Sequence, residues 1–136
     1  MKKKLAIIGA GIAGLTLANL IKKKSDHEFM VYEKEESLSL DEGYGIQLST
    51  NSIKILNQIN FNKISNEKMF HPNTLDFYDI KNEKICDLSL SKFNTSETKY
   101  TTLQRSTLIE YLKPVSYTHL RAHETDSYLV CRLLLE

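Results

Sequence analysis

Gly9, Gly11 and Gly14 stand in the spacing Gly-x-Gly-x-x-Gly, and an acidic residue, Glu33, follows about twenty residues after the last of them. Each type suits one part of a nucleotide. The first glycine permits a tight turn, the second lets a diphosphate approach the backbone, and the third lets a helix pack closely on its strand. Free N–H groups and the positive dipole end of the helix then face the phosphates. A carboxylate at the position of Glu33 hydrogen-bonds ribose hydroxyls and disfavours a 2′-phosphate by charge repulsion. The simpler alternative is that the glycines only pack a helix on a sheet.

These residues need a strand, a turn and a helix in that order. Leu5 to Ile8 is a short apolar run that suits a strand buried on both faces, as in a parallel sheet. Beyond the glycines, Gly14, Leu17, Ala18 and Ile21 recur at the spacing of one helical face, and Lys22 to Lys24 complement a helix C-terminus. Glu28 to Tyr32 reads as a second strand that ends in Glu33. The order predicts an α/β chain: a partial Rossmann-like domain with a parallel sheet, a flanking helix and a small β-hairpin.

Glu35 to Glu42 reads as a polar loop with Leu38 and Leu40 alternating, punctuated by Gly43, Tyr44 and Gly45. Ile46 to Leu48 suits a short extended piece, and Thr50 or Asn51 could cap a helix that turns Ile53, Leu56 and Ile59 inward with Ile55 beside them. Leu75 and Phe77, then Ile85 and Leu88 across Asn82, predict two strands with one wet face. Lys92 to Lys99 is a polar loop. Thr101 to Gln104 suits another strand, followed by Arg105 and a helix with Leu108, Ile109 and Leu112. Cys86 reads as a small buried hydrophobe, and His27 and His71 as exposed side chains rather than catalytic ones.

A chain of 136 residues suits one modest domain but is short for a complete two-domain enzyme. Hydrophobic residues make up 41%, charged residues 26%, and the net charge is +1, so nothing suggests a nucleic-acid surface. No segment is apolar for the roughly 18 residues a membrane span needs, and a cytoplasmic location is expected. Cys86 and Cys131 are too few and too far apart for a metal site or a disulfide framework.

From Pro114 to Glu136 the text changes character. Val115-Ser-Tyr-Thr-His-Leu-Arg-Ala-His-Glu124 with the start of Thr125 resembles the translation of a transposase-type sequencing-library adapter. In the same frame Leu129 to Leu135 resembles a translated flow-cell adapter. Residues 114–136 are therefore expected to be a non-native tail, and residues 1–113 the N-terminal part of a cofactor-binding domain. On that expectation His119, Arg121, His123 and Cys131 carry no functional meaning, although His119 and His123 have the spacing of a metal pair on a helix.

Gly9-Ala-Gly-Ile-Ala-Gly14 with Ala18, Val31-Tyr-Glu-Lys34, Gly43-Tyr-Gly-Ile-Gln-Leu48 with Asn51, and Leu103-Gln-Arg-Ser-Thr-Leu108 occur in that order. Together they resemble the N-terminal part of the FAD-dependent aromatic hydroxylases, the single-component monooxygenases of the para-hydroxybenzoate and salicylate hydroxylase type. The resemblance covers essentially all of residues 1–113. It implies FAD with its diphosphate lined by Gly9, Gly11, Ala13 and Gly14, its adenosine ribose on Glu33 and its adenine beside Lys34. Gly45 would let the backbone pass close to the cofactor, and Arg105 would reach the FAD phosphate or ribityl region. Gln47, Gln104 and Tyr44 are weaker candidates for approaching the flavin.

In such enzymes NADH or NADPH reduces FAD, and O2 supplies the oxygen placed on a small, aromatic substrate. The implied family carries later Asp-Gly and Gly-Asp motifs that this chain lacks, so the chain alone is expected not to turn over. No residue in 1–113 stands out as catalytic. Two other readings remain open: an NAD-dependent Rossmann dehydrogenase fragment using the same glycines and Glu33, and a truncated module without function.

Overall fold

A computed structural model describes residues 1–35 and 44–113 and the backbone of residues 120–122. The expected loop around Leu38 and Leu40, Gly43, and all of the adapter-like tail except that short backbone piece lie outside the described residues. The chain divides into two units, Met1–Leu40 with Leu112–Glu136, and Asp41–Tyr111.

The first unit opens with β1 (Lys4–Ile8), α1 (Ile12–Lys24) and β2 (Glu28–Glu33). β1 and β2 run parallel, in register from Lys4 opposite Glu28 to Ile8 opposite Tyr32, as the βαβ order requires. A further short strand, Leu120–Ala122, lies parallel to β2 on its other side. β1 is thus at the margin of this three-stranded sheet rather than inside it. The expectation of a strand covered on both faces is corrected: Ile7, on the face towards Gly14 of α1, is buried, whereas Ala6 and Ile8, on the opposite face, are exposed.

On α1 the buried residues are Leu15 and Ala18, whereas Leu17 is 48% exposed. Of the predicted face, Gly14 meets the Gly9 carbonyl and Ala18 is buried, while Leu15 is buried in place of Leu17. Asn19 on the same helix donates to the carbonyls of Leu15 at 2.8 Å and Leu112 at 3.0 Å. Lys22, Lys23 and Lys24 occupy the last turn, where the helix dipole favours them.

The second unit holds an antiparallel sheet that the sequence indicated only in pieces. β3 (Gly45–Leu48), β4 (Met69–Phe70) and β7 (Thr101–Gln104) form it in the order β3-β7-β4. Between β3 and β4 lie α2 (Thr50–Asn57) and two 3-10 turns, Phe61–Lys63 and Asn66–Lys68. α2 is capped by Ser49, whose hydroxyl accepts the Ser52 N–H, and not by Thr50 or Asn51. Ser49 has the extended backbone an N-cap needs, while Thr50 is already helical.

Ile53, Leu56 and Ile59 are buried as expected, and Ile55 is 47% exposed. α3 (Arg105–Leu112) follows β7 directly and buries Leu108, Ile109 and Leu112. Phe61 and Tyr111 meet edge to face at 5.8 Å, and the Tyr111 hydroxyl donates to the Ile59 carbonyl at 2.6 Å.

β5 (Thr74–Tyr78) and β6 (Lys84–Ser89) form the predicted hairpin. Its turn is built by Asp79, whose carboxylate accepts the N–H groups of Lys81 and Glu83, with Asn82 at φ 65°. Both faces are largely open, so the expected dry face is missing: Phe77, Ile85 and Leu88 are exposed. Cys86 is exposed as well, because it lies opposite Phe77 on this uncovered face.

Candidate dinucleotide site

The glycine turn is made in the first unit, between β1 and α1. Gly9 adopts φ +94°, a conformation that side chains resist, and its N–H donates to the Tyr32 carbonyl at 2.7 Å, extending the β1–β2 ladder by one bond. Gly14 is required for contact: a Cβ there would lie 2.0 Å from the Gly9 carbonyl oxygen and 3.3 Å from Ile7. Around Gly11 nothing lies within 4 Å of a notional Cβ, so this glycine leaves room rather than filling it.

Gly11 is also the N-cap of α1, with no side chain capping it, and its carbonyl accepts the first helical bond, from Leu15 N–H at 2.9 Å. The N–H groups of Ile12, Ala13 and Gly14 precede any helical acceptor and point out of the helix start. No acidic side chain lies in that first turn. The result is an uncapped helix N-terminus beside an open glycine, a shape and polarity suited to a diphosphate.

Glu33 ends β2 beside the turn. Its Oε2 accepts the Ala10 N–H at 2.7 Å, and its Oε1 accepts the N–H groups of Lys34 at 2.9 Å and Glu35 at 3.2 Å. Burial by itself pushes the carboxyl up. The N–H groups of Ala10, Glu35 and Lys34, together with the Lys34 charge, outweigh it and hold the group below the usual glutamate value. Lys34 is exposed, with its ammonium 3.5 Å from the Glu35 carboxylate. Of the predicted residues, Gly9, Gly11, Ala13, Gly14, Glu33 and Lys34 thus share one end of the first unit. Ala10 was not singled out in the sequence; its position between two glycines was the available signal.

Gly45 and Arg105 belong to the second unit, which brings them close to each other. Gly45 opens β3 opposite Gln104 of β7, where a Cβ would be 3.9 Å from the Leu103 carbonyl. Arg105 begins α3, and its N–H donates to the Tyr44 carbonyl at 3.1 Å. The guanidinium carbon lies 5.8 Å from the centre of the Tyr44 ring, so Tyr44 supports the cation, a contact the sequence did not indicate. Gln47 accepts from the Tyr100 hydroxyl at 2.7 Å. An open groove of about 790 Å³ runs past Gly45, Phe70, Gln104 and Glu110.

The histidines differ from expectation. His71 Nδ1 is 3.1 Å from the hydroxyl of buried Thr101, and His27 is half-buried. The Thr101 hydroxyl is also within hydrogen-bond distance of the Lys99 carbonyl, at 2.8 Å. Among the described residues no group of histidine, cysteine and acidic side chains could hold a metal. Among them, too, no helix is long and apolar enough to cross a membrane.

The family model of the NAD(P)-binding Rossmann-like domain matches residues 7–41, the stretch that contains the turn and Glu33. No curated protein sequence matches the chain significantly. Among solved structures, the chain is similar to 2-methyl-3-hydroxypyridine-5-carboxylic acid oxygenase in its tetrameric form. The TM-score is 0.70 at 20% identity, over 88% of this chain and 31% of that one. It is also similar to p-nitrophenol 4-monooxygenase from Pseudomonas putida, with TM-score 0.69 at 14% identity over 89% and 32%. CtdE, solved in complex with FAD and a substrate, gives TM-score 0.67 at 16% identity over 89% and 30%. The chain spans about a third of the length of each of these structures. Residues 7–41 thus match an NAD(P)-binding Rossmann-like domain, and over the part that it spans the chain has the fold of the corresponding part of these oxygenases.

Proposed function

We propose that this chain is the FAD-binding part of a flavin-dependent monooxygenase that hydroxylates a small aromatic substrate with NADH or NADPH and O2. The observation that carries the proposal is the turn itself. An open Gly11, a Gly14 that admits no Cβ and an uncapped helix start fit a diphosphate, and a carboxylate stands beside them for ribose. FAD is preferred to NAD as the occupant because the likeness to oxygenases extends over most of the chain, and CtdE, similar over as much of it, was solved with FAD.

In this proposal Gly9, Gly11, Ala13 and Gly14 line the diphosphate and Glu33 receives the ribose hydroxyls. Lys34 stands beside the adenine, and Gly45 gives the backbone room near the cofactor. Arg105, supported by Tyr44, meets an oxyanion or the ribityl chain of the same cofactor. When bound, FAD would supply the electron transfer from NAD(P)H and the activation of O2. The residues of this chain bind and orient; none of them is assigned as acid, base or nucleophile. A cytoplasmic location belongs to the same proposal.

We also propose that residues 114–136 are translated adapter sequence. The parallel strand at Leu120–Ala122 does not weigh against this, since an open strand edge offers backbone pairing to any extended segment. Genomic sequence from the Lys113 codon onward tests it, and native DNA encoding the same tail would refute it. The function is tested on the complete reading frame that contains residues 1–113. The purified protein should be yellow, release FAD on denaturation and oxidise NADH or NADPH when a hydroxylated aromatic compound is added. A colourless protein that binds no flavin would overturn it. The chain of 136 residues alone is expected not to retain FAD stoichiometrically, which flavin absorbance after gel filtration would check.

A further inference from the structure

Ala10 is completely buried, so its N–H group needs an acceptor, and no strand or helix provides one. Its neighbour Gly9 has already given its own N–H to Tyr32. Glu33 fills the gap from 23 residues away, with Oε2 at 2.7 Å from the Ala10 nitrogen. Its other oxygen is gripped by the N–H groups of Lys34 and Glu35. Three backbone donors therefore fix both oxygens of one side chain.

The geometry points to Glu33 as a positioning residue for the phosphate-binding turn, tying down the Ala10 N–H and so holding the turn in shape before any nucleotide arrives. This inference deepens the nucleotide proposal and rests on it only for its consequence in binding. The donors divide into two sets. Gly9 and Ala10 are committed inside the protein, whereas the N–H groups at the start of α1 face outward for phosphate oxygens. Ribose hydroxyls would then donate to the remaining lone pairs of a carboxylate whose plane is already set.

The chemistry requires an ionised carboxylate. Hydrogen bonds from N–H to a charged acceptor are short and strong, and only a carboxylate accepts on both sides. A glutamine has the same shape but one oxygen. Turned either way, its NH2 group would face Ala10 N–H or the N–H pair of Lys34 and Glu35. The charged neighbour of Glu33 is Lys34, whose ammonium is shared with Glu35.

The test uses the chain of 136 residues, 15N-labelled and free of nucleotide, so that its outcome is independent of flavin binding. The Ala10 amide should resonate downfield and exchange slowly with solvent. In Glu33→Ala it should move upfield and lose protection by about tenfold or more. In Glu33→Gln the disturbance should appear at Ala10 or at the Lys34 and Glu35 amides. An Ala10 amide that keeps its shift and protection in both variants overturns the inference. If Glu33→Ala does not fold, the unsubstituted chain decides: the Ala10 shift should follow protonation of Glu33 on acidification, and a flat response sinks the idea. A failed FAD test on the longer protein, with the Ala10 signature intact, would remove the flavin proposal and leave this one standing.

Discussion

Two glycines three residues apart answer the same substitution in opposite ways. At Gly14 an alanine Cβ would fall 2.0 Å from the Gly9 carbonyl oxygen, and backbone cannot step aside as a side chain can. Gly14→Ala should destabilise the chain by about 3 kcal/mol or more, read from urea denaturation. Gly11 has open space, so Gly11→Ala should change stability by less than about 0.5 kcal/mol. In the proposed flavoprotein the same methyl would stand where the diphosphate approaches and weaken FAD binding by about tenfold or more. Equal effects of the two substitutions on stability would contradict this account.

Glu33 adds a dependence on pH. Its carboxyl is held below the ordinary value, so its contribution is fully present above about pH 4.3, where the unfolded group is also ionised. That contribution fades as the pH falls through the lower folded value. The urea midpoint should therefore drop on acidification below about pH 4, and less steeply in Glu33→Gln. Identical slopes for the two proteins would exclude the effect. Glu33 and the glycines were legible because spacing in sequence is what makes them work. The Ala10 bond was not, since burial of one amide depends on how the turn closes.

At the scale of elements, α2 shows how a helix start is chosen. Ser49, Thr50 and Asn51 can each cap, and composition alone does not choose among them. The choice fell to the residue that is extended when Ile53 and Leu56 face inward, which is Ser49. Ser49→Ala should cost about 1 kcal/mol, seen as a lower Tm, whereas Thr50→Ala should cost less. α3 was easier to read: Leu108, Ile109 and Leu112 share one face and all are buried. The hairpin β5–β6 was right as an element and wrong in its environment. Alternation predicts which residues share a face, but only neighbours decide whether that face is dry.

For the whole molecule, exposed apolar surface is the dominant feature. Ile8 on the margin strand, Phe70 on β4, and Phe77 and Ile85 on the hairpin are all largely open. A two-stranded hairpin without a packed face is marginal in water, and the margin of β1, which pairs with no other strand among the described residues, can template further strands. The chain of 136 residues should therefore associate as its concentration rises, visible as a growing sedimentation coefficient. A monomer at all accessible concentrations would show that these surfaces are harmless.

The sequence by itself determined the local program: strand, glycine turn, helix and acidic strand end, with the hairpin and the last helix where their periodicities begin. It could do so because steric freedom at glycine, the 3.6-residue helical period and the two-residue strand period act between near neighbours. Only the tertiary structure decided that β1 lies at a sheet margin, that β3, β7 and β4 form a second sheet, and that Cys86 is open to solvent. It also gave Tyr44 to Arg105 and the Ala10 amide to Glu33. These outcomes depend on which distant segments meet, and hydrogen-bond satisfaction and burial settle that over the folded chain rather than along it.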